Sequence, residues 1–244
     1  MDWDSIEAAI RPRSSYFAQT GLVAVENTQN HAGGTVMSFE RMEEIAERAH
    51  EKGLPVHLDG ARIFNAAIVL KRDVAEIASL FDSVMFCLSK GLAAPVGSML
   101  VGSAAFIERA RSVRKMLGGG MRQAGVLAAA GLIALEKMPA RLAEDHRNAR
   151  LLAELLDGVR GLDLDPTLVR TNILVVGIEG TGMESAALTA RLAAEGVLFG
   201  TIDPKTIRML THLDVSEEQV RHAARAFERV LGCKAAGETA ASVS

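Results

Sequence analysis

Cysteine is scarce in this chain: two residues, Cys87 and Cys233, among 244. Two thiols cannot build a disulfide framework, and neither sits at a zinc-ligand spacing. Aromatic residues make up 4%, with one Trp and one Tyr, so the core must rely on aliphatic side chains and alanine. Neither sign of charge dominates. The 27 Lys and Arg against 30 Asp and Glu give a net charge of −3, and the basic residues are dispersed, which argues against a nucleic-acid footprint. No apolar run reaches the ~20 residues of a membrane-spanning helix. The acidic start MDWDSIEAAI lacks a secretory pattern. His57 and His212 have no second ligand at metal spacing. The expectation is a soluble, cytoplasmic protein that binds neither membrane nor nucleic acid and holds no metal.

What is abundant is apolar residue, 49% hydrophobic against 23% charged, enough for one domain or for one and a smaller second. Ile6 and Ile10 mark a short helix over 4–10 that Pro12 closes. An apolar strand at 21–25 leads into ENTQN and the paired glycines Gly33 and Gly34. Ser38 reads as an N-cap for a helix whose apolar face is Met42, Ile45, Ala46 and Ala49 and which Gly53 ends. A strand at 55–58, helices at 61–70 and 73–80, and strands at 84–88 and 97–101 follow. This alternation predicts a mainly parallel sheet covered by helices. Cys87 falls within one of those strands as a small core residue.

From Ala104 a basic helix runs into Gly118, Gly119 and Gly120. The nearly all-apolar helix 123–135 reads as buried, in a core or a subunit interface. A long amphipathic helix, 141–156, precedes a strand at 172–176, a helix at 184–195, strands near 197–199 and 207–210, and a helix at 217–231 capped by Ser216. That set reads as a small α+β domain. The tail from 233 to 244 is small and polar, a disordered segment by composition.

Three residues stand at strand ends: Asp59 and Arg62 in HLDGAR, and Lys90 in CLSKG. In open α/β sheets ligands bind beyond the carboxyl ends of strands, so an acid and an amine there can face one cleft. A lysine amine suits Schiff-base chemistry, and a carboxylate can keep a pyridinium nitrogen protonated. Other readings stay open for each. Lys90 can be a surface lysine, although apolar neighbours predict that it is desolvated. Asp59 can be a helix N-cap. Arg208 can be an outward residue of a half-exposed strand, and the glycine triplet a plain helix–helix loop.

The blocks HLDGARIFNA, CLSKGLAAPVGSMLVG, RKMLGGGMRQAG and IRMLTHLDVS, in this order, resemble the threonine aldolases of the beta-eliminating lyase group. These are fold-type I pyridoxal-phosphate enzymes. The likeness runs from Tyr16 to the helix ending at Leu231. It implies an α/β fold: part of the large cofactor-binding domain (1–140, a mainly parallel sheet covered by helices), then a small C-terminal α+β domain (141–232, with the linking helix). It further implies pyridoxal 5'-phosphate on Lys90, with Asp59 on the ring nitrogen and Arg62 beside cofactor and substrate. Arg62 and Arg208 would clamp the substrate carboxylate, with Arg122 and Lys115 near the substrate, in part across a subunit interface. The implied reaction cleaves the Cα–Cβ bond of L-threonine or allo-threonine-type β-hydroxy amino acids to glycine and an aldehyde. The implied assembly is a homo-oligomer, dimer or tetramer.

Two departures open alternatives. The family's ENTHN is ENTQN here, with Gln29 for the histidine, and Tyr16 stands where some members have another histidine. The resemblance also implies roughly a hundred further residues before this block, carrying the phosphate-binding turn and a ring-stacking histidine. A truncated, inactive fragment or non-catalytic partner subunit is therefore one alternative, and a different amino-acid β-eliminating lyase another. The acceptor of the β-hydroxyl proton is open between water, His31 and a histidine outside the chain. Apolar surface left uncovered on the sheet predicts aggregation or obligate dimerisation.

Overall fold

Short aliphatic runs make the first sheet. The computed structural model describes residues 1–233 and divides into two units, Met1–Thr28 with Val36–Leu142, and Gln29–Thr35 with the chain from Ala143 onward. The segment Gln29–Thr35 is thus an excursion of the second unit, which a single division near residue 140 does not contain.

In the first unit α1 (Trp3–Ala9) precedes β1 (Val23–Glu26), and α2 (Phe39–Glu51) leads to β2 (Val56–Asp59). Next come α3 (Ile63–Leu70), α4 (Val74–Ala78), β3 (Ser83–Cys87), β4 (Ser98–Gly102), α5 (Ala104–Met116) and α6 (Gly125–Lys137). The strands lie in the order β1-β2-β3-β4, with β1, β2 and β3 parallel and β4 antiparallel to β3. The connection 88–97 is shorter than the roughly dozen residues a parallel crossover requires, so β4 can only turn back. Met42, Ile45, Ala46 and Ala49 of α2 are buried at helical spacing. Ser38 caps that helix, its hydroxyl accepting from the Arg41 N–H at 3.2 Å, and Gly53 leaves it at φ +70°. These side chains pack with Val25, Val56, Leu58 and Ile77 into one core.

Of the two settings expected for α6, the core fails among the described residues and the subunit interface is left. The apolar helix α6 buries only Gly131 and Ala134; Val126 is 73% exposed and Leu132 60%. An all-round apolar helix needs packing on every side, and the described residues cover one. Strand β4 is exposed along its length, as is most of α5. Cys87 is half-buried rather than fully in the core.

In the second unit α7 (Leu142–Leu156), which starts at the last residue of the first unit, is followed by β5 (Ile173–Gly177), α8 (Ser185–Ala194), β6 (Gly200–Asp203), β7 (Thr206–Leu210) and α9 (Glu217–Leu231). The sheet is antiparallel in the order β5-β7-β6. Leu152, Leu156, Leu174, Leu188, Leu192, Ile207 and Phe227 form its core. Ser216 begins α9 with a capping box, its hydroxyl accepting from the Gln219 N–H while the Gln219 side chain accepts from the Ser216 N–H. The strand expected at 197–199 falls instead at β6. Phe199 stacks on Phe227 with ring centroids 5.7 Å apart, so that apolar run contributes packing from a loop while the ladder begins at Gly200. Apart from Cys233, whose backbone bridges Val159, the tail expected to be disordered lies outside the described residues. Among the described residues no helix is long and apolar enough to cross a membrane.

Candidate active site

The alternation of β2 decides which side chains leave the core. Val56 and Leu58 are buried, while His57 and Asp59 share the other, half-buried face. Strands β2 and β3 run parallel with Asp59 opposite Met85, so both carboxyl ends open on one sheet edge. The Gly60 N–H donates to the Met85 carbonyl at 2.8 Å. A Cβ on Gly60 would stand 2.9 Å from that oxygen, so only glycine lets the chain leave Asp59 so close to β3. The Asp59 carbonyl accepts from the Asn27 N–H at 3.1 Å, tying in the end of β1. Its carboxylate accepts from the Ala61 N–H at 3.0 Å. Arg62, not Asp59, is the N-cap residue of α3, so Asp59 closes a turn rather than capping a helix. His57 packs in the sheet with Nδ1 2.8 Å from the Ser83 hydroxyl.

Lys90 stands in the loop after β3. The Leu88 N–H donates to the Gly97 carbonyl at 2.9 Å, the Ala94 N–H to Leu88 at 3.0 Å, and the Ala93 N–H to Lys90 at 2.8 Å. Ala93 is held at φ +59°, a left-handed backbone that costs about 1–2 kcal/mol for a residue with a Cβ. Gly91 passes so near Leu142 that a Cβ there would lie 2.6 Å from its methyl. Leu88, Leu92 and Ala94 turn into a small core with Ala134 and Leu142. Lys90 consequently points the other way and is exposed. The expected desolvation by apolar neighbours is thereby corrected: those neighbours are buried beneath the loop, not over the amine.

Arg62 is half-buried at the start of α3, whereas Lys115 and Arg122 lie exposed around the turn between α5 and α6. Tyr16 is 95% exposed. In the second unit Arg208 occupies the middle of β7, paired with Val175 on β5 and Gly200 on β6. Its Nη2 donates to Asn30 Oδ1 at 2.7 Å. Its Nε is buried with no acceptor among the described residues, a deficit of about 1–3 kcal/mol for a donor left unmade. Arg208 therefore lies on the half-buried face of β7, opposite the buried Ile207 and Met209, with its Nε covered. Asn30 was not singled out from sequence; the only signal was its place as the last residue of ENTQN, three residues before the paired glycines. His31, beside it, is exposed.

The donor set suits pyridoxal phosphate: a primary amine and a half-buried carboxylate at the carboxyl ends of adjacent parallel strands. A buried hydroxyl, Thr28 Oγ1, lies just beyond β1 and lacks a partner among the described residues. The chain belongs to the beta-eliminating lyase family, which it matches over residues 1–179. Its fold is that of the fold-type I pyridoxal-phosphate enzymes. It is 42% identical over 234 residues to low-specificity L-threonine aldolase 1 of Arabidopsis thaliana, covering 95% of this chain and 65% of that protein. It is 45% identical over 228 residues to the low specificity L-threonine aldolase of Escherichia coli strain K12, covering 92% and 65%. Among solved structures it is similar to Leishmania major threonine aldolase, at TM-score 0.76 and 22% identity over 94% of this chain and 67% of that one. The chain therefore spans about two thirds of the length of the relatives it matches.

Proposed function

We propose that the protein acts as a pyridoxal-phosphate-dependent aldolase on L-threonine and allo-threonine-type β-hydroxy amino acids, releasing glycine and an aldehyde. The reading is carried by Asp59 and Lys90 at neighbouring parallel strand ends in a chain 42% identical to a threonine aldolase. When bound, the cofactor supplies an electron sink for the pair left by Cα–Cβ cleavage.

The chain's own residues do the rest. Lys90 is the amine that would hold the cofactor aldehyde. Asp59, fixed by the Ala61 N–H, would be the partner of the ring nitrogen. Arg62 and Arg208 are the candidate clamps for an amino-acid carboxylate, which guanidinium matches in shape and charge. Lys115 and Arg122 add cationic groups on the substrate side. As the Cα–Cβ bond breaks the β-hydroxyl loses its proton and Cα gains one. The exposed apolar residues of α6 support a homo-oligomer, and the composition supports a cytoplasmic location.

Incubation with pyridoxal phosphate and borohydride should leave a pyridoxyl group on Lys90, mapped by peptide mass spectrometry. The same preparation should release glycine and acetaldehyde from threonine, and Lys90→Ala should abolish both. An unlabelled Lys90 would overturn the reading and favour a non-catalytic subunit, the alternative that the exposure of Lys90 suggests.

A further inference from the structure

We propose that Asn30 is a positioning residue for Arg208, holding the guanidinium ready for a carboxylate without neutralising it. The proposal rests on reading Arg208 as the carboxylate clamp. Asn30 and Arg208 stand 178 residues apart in sequence yet meet at 2.7 Å through Oδ1 and Nη2, the short distance of a charge-assisted bond.

The chemistry of the acceptor decides what this contact does. An aspartate at position 30 would order the guanidinium equally well, but would also satisfy its charge. An amide oxygen accepts the hydrogen bond and carries no counter-charge. Among the described residues no carboxylate is paired with Arg208, and its buried Nε has no acceptor. The cation is therefore oriented but unspent, as a site that must take up an anionic substrate and release an anionic product requires.

The loop carrying Asn30 is fixed on its own account. The Gln29 N–H donates to the Thr35 carbonyl at 3.0 Å and the Gly34 N–H to Gln29 at 2.9 Å. Gly33 and Gly34 turn the chain at φ +71° and +72°, and the Thr171 hydroxyl donates to the Gly34 carbonyl at 2.9 Å. Thr171 lies just before β5, and β5 pairs with β7 along Arg208. Asn30 is thus tied to the same sheet as the arginine it orients.

The test is an NMR titration of the arginine Nε–H signals of the 244-residue chain with sodium acetate, Arg208 being assigned by its loss in Arg208→Lys. In the wild type the Arg208 signal should be sharp and should shift with acetate. Asn30→Ala should broaden it and weaken the acetate response about tenfold, the scale of one hydrogen bond to a charged group. Asn30→Asp should keep the signal sharp yet abolish the response, because its carboxylate occupies the cation. The backbone amides of β5 and β7 report folding in each variant. Should Asn30→Ala lose them, the near-isosteric Asn30→Asp decides alone. An acetate response in Asn30→Asp equal to wild type overturns the proposal, as does a folded Asn30→Ala with an unchanged signal. A wild-type signal that ignores acetate instead overturns the clamp reading of Arg208 itself.

Discussion

Gly34→Ala should be among the most damaging single substitutions in the second unit, because three separate effects meet at that Cα. The backbone sits at φ +72°, where a residue with a Cβ costs about 1–2 kcal/mol. The new Cβ would stand 2.2 Å from Thr171 Oγ1 and 3.2 Å from Ile173 Cβ. Thr171 and Ile173 are both fully buried, so neither can swing into solvent, and overpacking of this kind costs about 1–3 kcal/mol. Displacing Thr171 also breaks its bond to the Gly34 carbonyl, worth about 1 kcal/mol. Together these predict a loss of about 3–6 kcal/mol. The two units need not unfold together, so the assay is hydrogen exchange of the β5 and β7 amides under native conditions. Thr171→Ala in the same chain removes the clashing oxygen. The double variant should recover most of the steric loss and retain the left-handed strain, the close approach to Ile173 and the missing Thr171 hydrogen bond. Protection factors in Gly34→Ala within about tenfold of wild type would refute this account, since tenfold corresponds to only about 1.4 kcal/mol.

Burial lowers the His146 pKa from 6.5 to about 4. Between those values the unfolded chain binds more protons, so stability should be complete above pH 6.5 and decline toward pH 4. The decline should reach at most about 3 kcal/mol, reduced toward about 1–2 by partial exposure; His146→Gln should flatten it in urea titrations at pH 7 and 5, and parallel curves would contradict the cause. Ser216→Ala removes the hydroxyl of the α9 capping box and should lower stability by about 1 kcal/mol, read as earlier exchange of the first-turn amides of α9. Ile133, 54% exposed on α6, should accept Glu within about 0.5 kcal/mol. If α6 forms the proposed subunit interface, Ile133→Glu should also reduce the mass seen by sedimentation velocity, and an unchanged oligomer would exclude that face.

Much of the first unit was legible because its signals are local. The buried face of α2 and its Ser38 cap follow from spacing alone, and the same holds for α9 and Ser216. The fate of α6 was not legible, because hydropathy records what a helix needs and not what its surroundings provide. At 197–199 the apolar run resembled a strand, but Phe199 satisfies itself against Phe227, and the backbone ladder begins three residues beyond the run's first residues, at Gly200. Apolar side chains mark burial there, and burial does not dictate strand pairing.

The site divides along the same line. The placement of Asp59 and Lys90 could be read because one ends a strand and the other follows the next, and parallel pairing brings both strand ends to one edge. The environment of Lys90 could not, because neighbours in sequence are not neighbours in space. The bond from Ala93 N–H to Lys90 folds the loop back, and that reversal sends Leu88, Leu92 and Ala94 into the core and the amine outward. Nor could one sequence reveal that Asn30 meets Arg208, since no local pattern couples a loop residue to a strand so far along the chain. Lysine chemistry at neutral pH needs an amine whose charged form is disfavoured by burial or by a nearby cation. The loop gives Lys90 a backbone fixed by hydrogen bonds and leaves its side chain exposed among the described residues.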